Sequence, residues 1–460
     1  MGDLIRFVDS IAASPTLRLD LNDESIFWVR AFNAPPPRLR RSIASNAMRD
    51  GINVGSASYD GRTLTIELEC RRTTQDLAAT EIQKLWRELD RETNFLMYQP
   101  TGATKPVFFR TYRSDASQLE DVMAQVAMRR FTIEVLAEPF ALGLRESLGP
   151  YTVTNDPAAA SNGCYVDVSG VIGDVTTPPV IVDTGTIPHY WTMGVRQHGT
   201  PSSVTWFIQA ESTAGGVNTA NPGGGPDAAM SGTGANNYLR TSFANTVNDL
   251  RLSLSSASLP DAGDYRLLAV VRRSDSTSDM LAQVGNTLAG NLRDQVVIPK
   301  TTERQIVELG TWSIDSGVVG NNATGSVLAS DIGVYAQRTT GTGTLDWDFF
   351  LFVPADEAGL AKFYEGTAAP NNLLLDCVNQ TVRGFYDGAD PFTGTGAMYQ
   401  DPYPIGVAGA YPTLRPNQTN RFVMLASTGT VAGRTPTKTQ TLVLTFHYWP
   451  RYLFVRPVST

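Results

Sequence analysis

Sulfur and imidazole chemistry is scarce in this chain of 460 residues, which holds three cysteines and three histidines. Cys70, Cys164 and Cys377 are odd in number, scattered and without metal-ligand spacing. They read as small buried hydrophobes of a protein assembled in a reducing cytoplasm, which excludes a disulfide framework. His189, His198 and His447 form no His-x-x-x-His, His-Glu-x-x-His or mixed His/Cys pattern, so no metal site is assigned. Each reads as an ordinary surface or interface imidazole. A Gly-x-Ser-x-Gly elbow, a P-loop and a dinucleotide-binding glycine signature are missing too. No catalytic residue and no cofactor is therefore expected.

Long apolar runs are also missing. No stretch approaches the roughly 20 residues that span a membrane, and the start, Met1 to Phe7, carries an acid where a signal peptide needs basic residues. Export through the secretory pathway is not expected, so sequons at Asn322, Asn379 and Asn417 carry no message. A net charge of −8 argues against nonspecific nucleic-acid binding, which needs a basic surface to neutralise phosphates. One basic run departs from this balance: Pro35-Pro36-Pro37-Arg38-Leu39-Arg40-Arg41. It reads as a stiff exposed loop in which Arg38, Arg40 and Arg41 meet a neighbouring subunit or only solvent, or else DNA or an acidic partner.

What is present points to turn-rich β structure. Glycine (40) and proline (27) are plentiful, and 42% hydrophobic with 18% charged residues suits a globular chain of two to four domains. In the first region, 52–59 and 62–70 flank Asp60-Gly61, which suggests a two-residue hairpin. Leu64, Ile66, Leu68 and Cys70 alternate with Thr63, Thr65, Glu67 and Glu69, so one face is expected buried and the other wet. Thr74 is placed to cap a helix with Asp76 in its first turn; Ala78, Ile82, Leu85, Trp86 and Leu89 form its apolar stripe. Strands are expected at 95–99, 107–112 and 130–137, the last alternating through Phe131, Ile133, Val135 and Ala137. One helix on a small sheet leaves edges ready to pair with neighbouring copies.

From 151 to 186 the pattern is purely β and too short to enclose a core. Strands at 421–426, 441–449 and 453–455 are expected to complete it. Between them, candidates at 191–196, 204–210, 265–273, 304–314, 333–338 and 345–353 are bounded by turn residues, which suggests an inserted jelly roll or related sandwich. The segment 215–237, rich in Gly, Asn and Ala, reads as a long flexible surface loop.

Two acidic pairs and four indoles are the remaining candidates for chemistry. Asp346 and Asp348 flank Trp347 at a spacing that puts both carboxylates on one strand face, but glycosidases draw such pairs from different strands. Asp387 and Asp390 read as turn residues rather than Ca²⁺ ligands. Trp191, Trp206, Trp312 and Trp347 either stack on a pyranose or fill the insert's core.

Several phrases carry a family resemblance: LLLDCVNQTV at 373–382, AYPTLRPNQTN at 410–420, the closing FHYWPRYL at 446–453, and IEVLAEPF at 133–140 following the hairpin and single helix. Together they resemble siphophage distal tail proteins at both ends of the chain. The resemblance implies a mainly β protein with one α+β domain: a ring-forming domain at 1–148, a discontinuous galectin-like sandwich at 149–186 plus 370–460, and an inserted jelly roll at 187–369 that is similar in outline to carbohydrate-binding ones. It implies a structural, non-enzymatic hub, a hexameric ring joining tail tube to tail tip at the distal end of the virion tail. Its partners would be tube, tape-measure and tip proteins, with genomic DNA passing through. Adhesion to a host surface glycan through the insert is the alternative. The first domain taken alone is also similar to tail-tube proteins.

Overall fold

The computed structural model describes residues 3–45, 52–116, 120–123, 128–159, 163–185, 190–198, 206–215, 219–220, 227, 229–231, 237–243, 246–254, 260, 263–286, 292–314, 332–355, 359–363, 372–385, 392, 398–399, 406–427 and 435–455. The fold is mainly β, in antiparallel sheets, with one α-helix, Gln75–Leu89, among the described residues. Two compact units emerge: Met1–Glu146 with Ile172–Thr177 and Tyr448–Thr460, and Ser147–Val171 with Pro178–His447.

In the first unit a sheet runs in the order Leu17–Asp20, Leu4–Val8, Thr93–Gln99, Val107–Tyr112, Met128–Ala137, Arg62–Arg71, Phe27–Asn33. The helix starts where the sequence places it: Thr74 accepts the Leu77 N–H at 3.3 Å, with Asp76 in the first turn. Ala78, Ile82, Leu85 and Leu89 pack with Leu64, Ile66, Leu68 and Cys70 and with Phe131, Ile133, Val135 and Ala137 in one core. Two details depart from the pattern. Trp86 is 41% exposed, off the buried stripe, while Glu81 is buried and bonded to Lys84.

The Asp60-Gly61 hairpin does not form. Ile52–Tyr59 pairs with Leu39–Ser45 in a separate two-stranded ribbon, whereas Arg62–Arg71 lies between Met128–Ala137 and Phe27–Asn33. Neither turn residue takes positive φ, which a type I′ turn requires at both. Gly61 instead serves a close approach, since a Cβ there would stand 3.0 Å from the Ala137 carbonyl oxygen. The closing strand also differs from expectation: Arg451–Tyr452 pairs with Ala141–Leu142 in this unit, not with the sandwich.

Among the described residues the second unit holds four sheets. Two are built across the long sequence gap. Tyr165–Val168 pairs with Thr419–Ser427, and Val180–Asp183 lies between Asn372–Asp376 and Thr441–Tyr448. Phe422 and Phe446, one from each sheet, meet with ring centroids 4.7 Å apart. The pairing draws the insert more narrowly than 187–369, because Tyr190–His198 and Gly359–Phe363 are hydrogen-bonded into this outer sandwich.

The inserted strands form the other two sheets. Counting eight strands in chain order from Leu239–Ser242 through Asp249–Leu254, Gly263–Arg273, Asp279–Asn286, Val296–Ile298, Gln305–Ile314 and Ile332–Thr340 to Thr344–Pro354, one sheet takes the first, eighth, third and sixth. The other takes the second, seventh, fourth and fifth. Every residue of Thr344–Pro354 after Thr344 is buried, because inserted side chains such as Phe350 and Leu351 share one core with Cys164, Tyr190, Val423 and Leu425 of the outer sandwich. Much of 215–237 lies outside the described residues, but Met230, Ser231 and Asn237 are buried, so this segment is partly packed rather than wholly surface loop.

Candidate functional site

The sheet of the first unit ends in two strands, Leu17–Asp20 and Phe27–Asn33, that are each hydrogen-bonded on one side only among the described residues. A strand edge presents N–H and C=O groups at a fixed spacing to whatever strand arrives. Charges on both edges limit indiscriminate pairing: Arg6 bonds Asp20 at 2.7 Å, and a bulge at Arg30 breaks the regular ladder.

Beside the Phe27–Asn33 edge, Trp28 and Arg130 stand opposite Glu69 on its two flanking strands. Glu69 is fully buried, although alternation placed it on the wet face. Arg30 bonds it at 2.6 Å, Arg71 at 2.5 Å and Arg130 at 3.3 Å, and the Arg30 and Arg71 guanidinium carbons lie 4.0 and 4.1 Å from the Trp28 ring centroid. Burial opposes ionisation of Glu69, but the arginine hydrogen bonds outweigh it and hold the carboxyl below its ordinary pKa. No local sequence signal marked this group, because Arg30 and Arg130 reach Glu69 from other strands.

The basic run is a strand rather than a loop. Arg40 and Arg41 belong to Leu39–Ser45, Arg38 immediately precedes it, and all three are exposed. Arg40 bridges Asp60 at 2.5 Å, and the Asp60 N–H donates to the Arg38 carbonyl oxygen. This pins the base of the ribbon and leaves Arg38 and Arg41 outward.

The four indoles are not brought together. Trp191 is buried in the outer sandwich; Trp206 and Trp347 are buried in the insert's core, where the Trp347 Nε1 donates to Thr241 Oγ1 at 2.9 Å. Trp312 alone of the four is only partly buried, packed at the core's margin, with the Arg293 guanidinium 5.4 Å from its ring centroid.

The acidic pair is structural as well. Asp346 accepts both fork nitrogens of Arg240, at 2.7 and 2.9 Å, and a bond from Arg272. Asp348 sits where the ladder slips, accepts from Ser231 and pairs with buried Arg304, which also donates to the Pro436 carbonyl oxygen at 2.9 Å. Burial raises the Asp348 pKa even against the Arg304 charge. Two carboxylates each held by arginine are poor acid/base partners.

The three cysteines are buried free thiols; burial pushes Cys70 up to about 11. His447 packs on Phe392 and contacts Ser147 Oγ at 3.2 Å. His189, Asp387 and Asp390 lie outside the described residues. Among the described residues no group of three or more His, Cys, Asp or Glu gathers as a metal site.

No family model and no curated protein matches the chain. Among solved structures it is similar to the phage SPP1 Dit protein, described as a paradigm of hub adsorption apparatus in Gram-positive infecting phages, at 11% identity and a TM-score of 0.30, covering 76% of this chain and 100% of that one. It is also similar to a chain of the phage P2 baseplate in its activated conformation with Ca, at 9% identity and a TM-score of 0.28, covering 99% and 100% respectively. The Sr form of that baseplate aligns at 8% identity and a TM-score of 0.27, covering 98% and 99%.

Proposed function

We propose that the chain is a structural subunit of a phage tail's distal end, assembling head to tail into a ring of six that joins tail tube to tail tip. The observation that carries this is the pair of edges, each unpaired on its outer side among the described residues, at opposite ends of the first unit's sheet. Two different edges on one subunit make a heterologous contact, and such contacts close into a ring when the rotation fits. The motifs at both ends of the chain supply the family to which that ring belongs. The outward Arg38 and Arg41, with Arg40 at the ribbon's base, are the side chains for contact with a neighbouring subunit or tail protein. Purified protein should give closed rings with a central hole in electron micrographs and a matching mass by light scattering. Monomer at every concentration, alone and with tail-tube protein added, would overturn the reading.

A second reading attaches to the insert. Its strand order, first-eighth-third-sixth in one sheet and second-seventh-fourth-fifth in the other, supports reading it as a jelly roll, an architecture shared with lectin domains. Glycan adhesion through it would use Trp312, which is only partly buried. The intact chain should then bind a glycan array in a competable way, with binding lost in Trp312→Ala; equal binding by that variant would remove Trp312 from the site.

A further inference from the structure

The strands Phe27–Asn33 and Arg62–Arg71 pair as far as Asn33 and Thr65, and the chain between them does not close in a tight turn. It runs out through Leu39–Ser45 and back through Ile52–Tyr59, as a two-stranded ribbon outside the sheet. The part of the ribbon nearest its base is open on both faces. Leu39, at 38%, Arg41 and Ala57 are exposed on one face, and Arg40 and Ser58 on the other. Its fixings are also at the base: Arg40 bridges Asp60, and the Tyr59 ring meets Phe140 with centroids 5.2 Å apart. The register puts Ile43, Ile52 and Val54 on the face of Leu39 and Tyr59, so apolar residues gather on one side, with Arg41 among them. A two-stranded ribbon open to water on both faces is marginally stable by itself.

We infer that the ribbon is an assembly arm whose apolar face docks on a second copy of the chain and gains its stability there. This rests on the ring reading above. Two observations single out a second copy. The ribbon grows from Phe27–Asn33, one of the two edge strands through which that reading joins the subunits. The exposed Arg38 and Arg41 also complement the surface of a chain whose net charge is −8. Folding of the arm is then coupled to ring closure: open to water in a free subunit, it is covered once the neighbour arrives.

The test is trypsin cleavage of the full chain after Arg38, Arg40 and Arg41, timed by mass spectrometry on dilute monomer and on concentrated rings. Cleavage follows the population of the opened segment, so rings should slow it by about tenfold or more relative to the other sites of the same chain. Ile43→Lys, which puts a charge on the apolar face, should raise the concentration at which rings form by about tenfold and leave the monomer's unfolding midpoint unchanged. Equal cleavage in monomer and ring, or Ile43→Lys rings forming at the wild-type concentration, would overturn the arm and leave the ring reading in place. Protection that appears only with added tail-tube protein or DNA would give the ribbon to that partner and overturn the second copy as its occupant. Absence of rings at every concentration would remove the ring reading and the arm with it.

Discussion

At the scale of single residues, this protein's unusual features are buried charges and the partners that hold them. Glu69 is the clearest case, because strand alternation assigns it to solvent and the structure encloses it beneath three arginines and Trp28. Its folded pKa is held below the ordinary 4.5. A depressed carboxylate pKa contributes stability that is fully present above the ordinary value and is lost as pH falls through the folded one. Glu69→Gln should therefore lower stability by about 2 kcal/mol at neutral pH, the scale of hydrogen bonds to charged groups. The gap to wild type should close as pH drops below the ordinary value. Denaturant unfolding of both proteins across that range checks this; a gap constant with pH would show that the side chain acts by packing alone. Reading Glu69 from sequence was out of reach because all its partners except Arg71 lie on other strands.

At the scale of elements, local signals were legible and pairing was not. The helix boundaries, the Thr74 cap and the inward faces of Arg62–Arg71 and Met128–Ala137 follow from three- and two-residue periodicity, which depends only on near neighbours. The Asp60-Gly61 turn shows the limit. That dipeptide suits a hairpin, but here Gly61 is used to pass close to the Ala137 backbone, and the two strands it joins go to different sheets. Within the insert, the strands Leu239–Ser242, Asp249–Leu254, Asp279–Asn286 and Val296–Ile298 were not foreseen. They are short or sit among Gly, Ser and Asn, so their pattern resembles the turns around them. The basic run misled in the same way: prolines at 35–37 suggested a loop, yet Leu39–Ser45 immediately downstream finds a partner in Ile52–Tyr59.

At the scale of the second unit, the insert is built onto its host rather than tethered to it. Thr344–Pro354 contributes Phe350, Leu351 and Phe352 to a core that also contains Val423 and Leu425 of the outer sandwich, and Arg304 reaches across to the Pro436 carbonyl. Gly194 fits the same junction, since a Cβ there would stand 2.1 Å from the Pro354 carbonyl oxygen, nearer than atoms can approach. Layers that share one core lose stability together, because a cavity made in one withdraws contacts from both. Leu425→Ala, placed in the host strand Thr419–Ser427, should cost about 2–5 kcal/mol. Amide hydrogen exchange should then quicken by similar factors in that strand and in the inserted strand Thr344–Pro354. Faster exchange confined to the host strand would mean that the insert folds on its own, and the continuous core would then contribute contact without cooperativity.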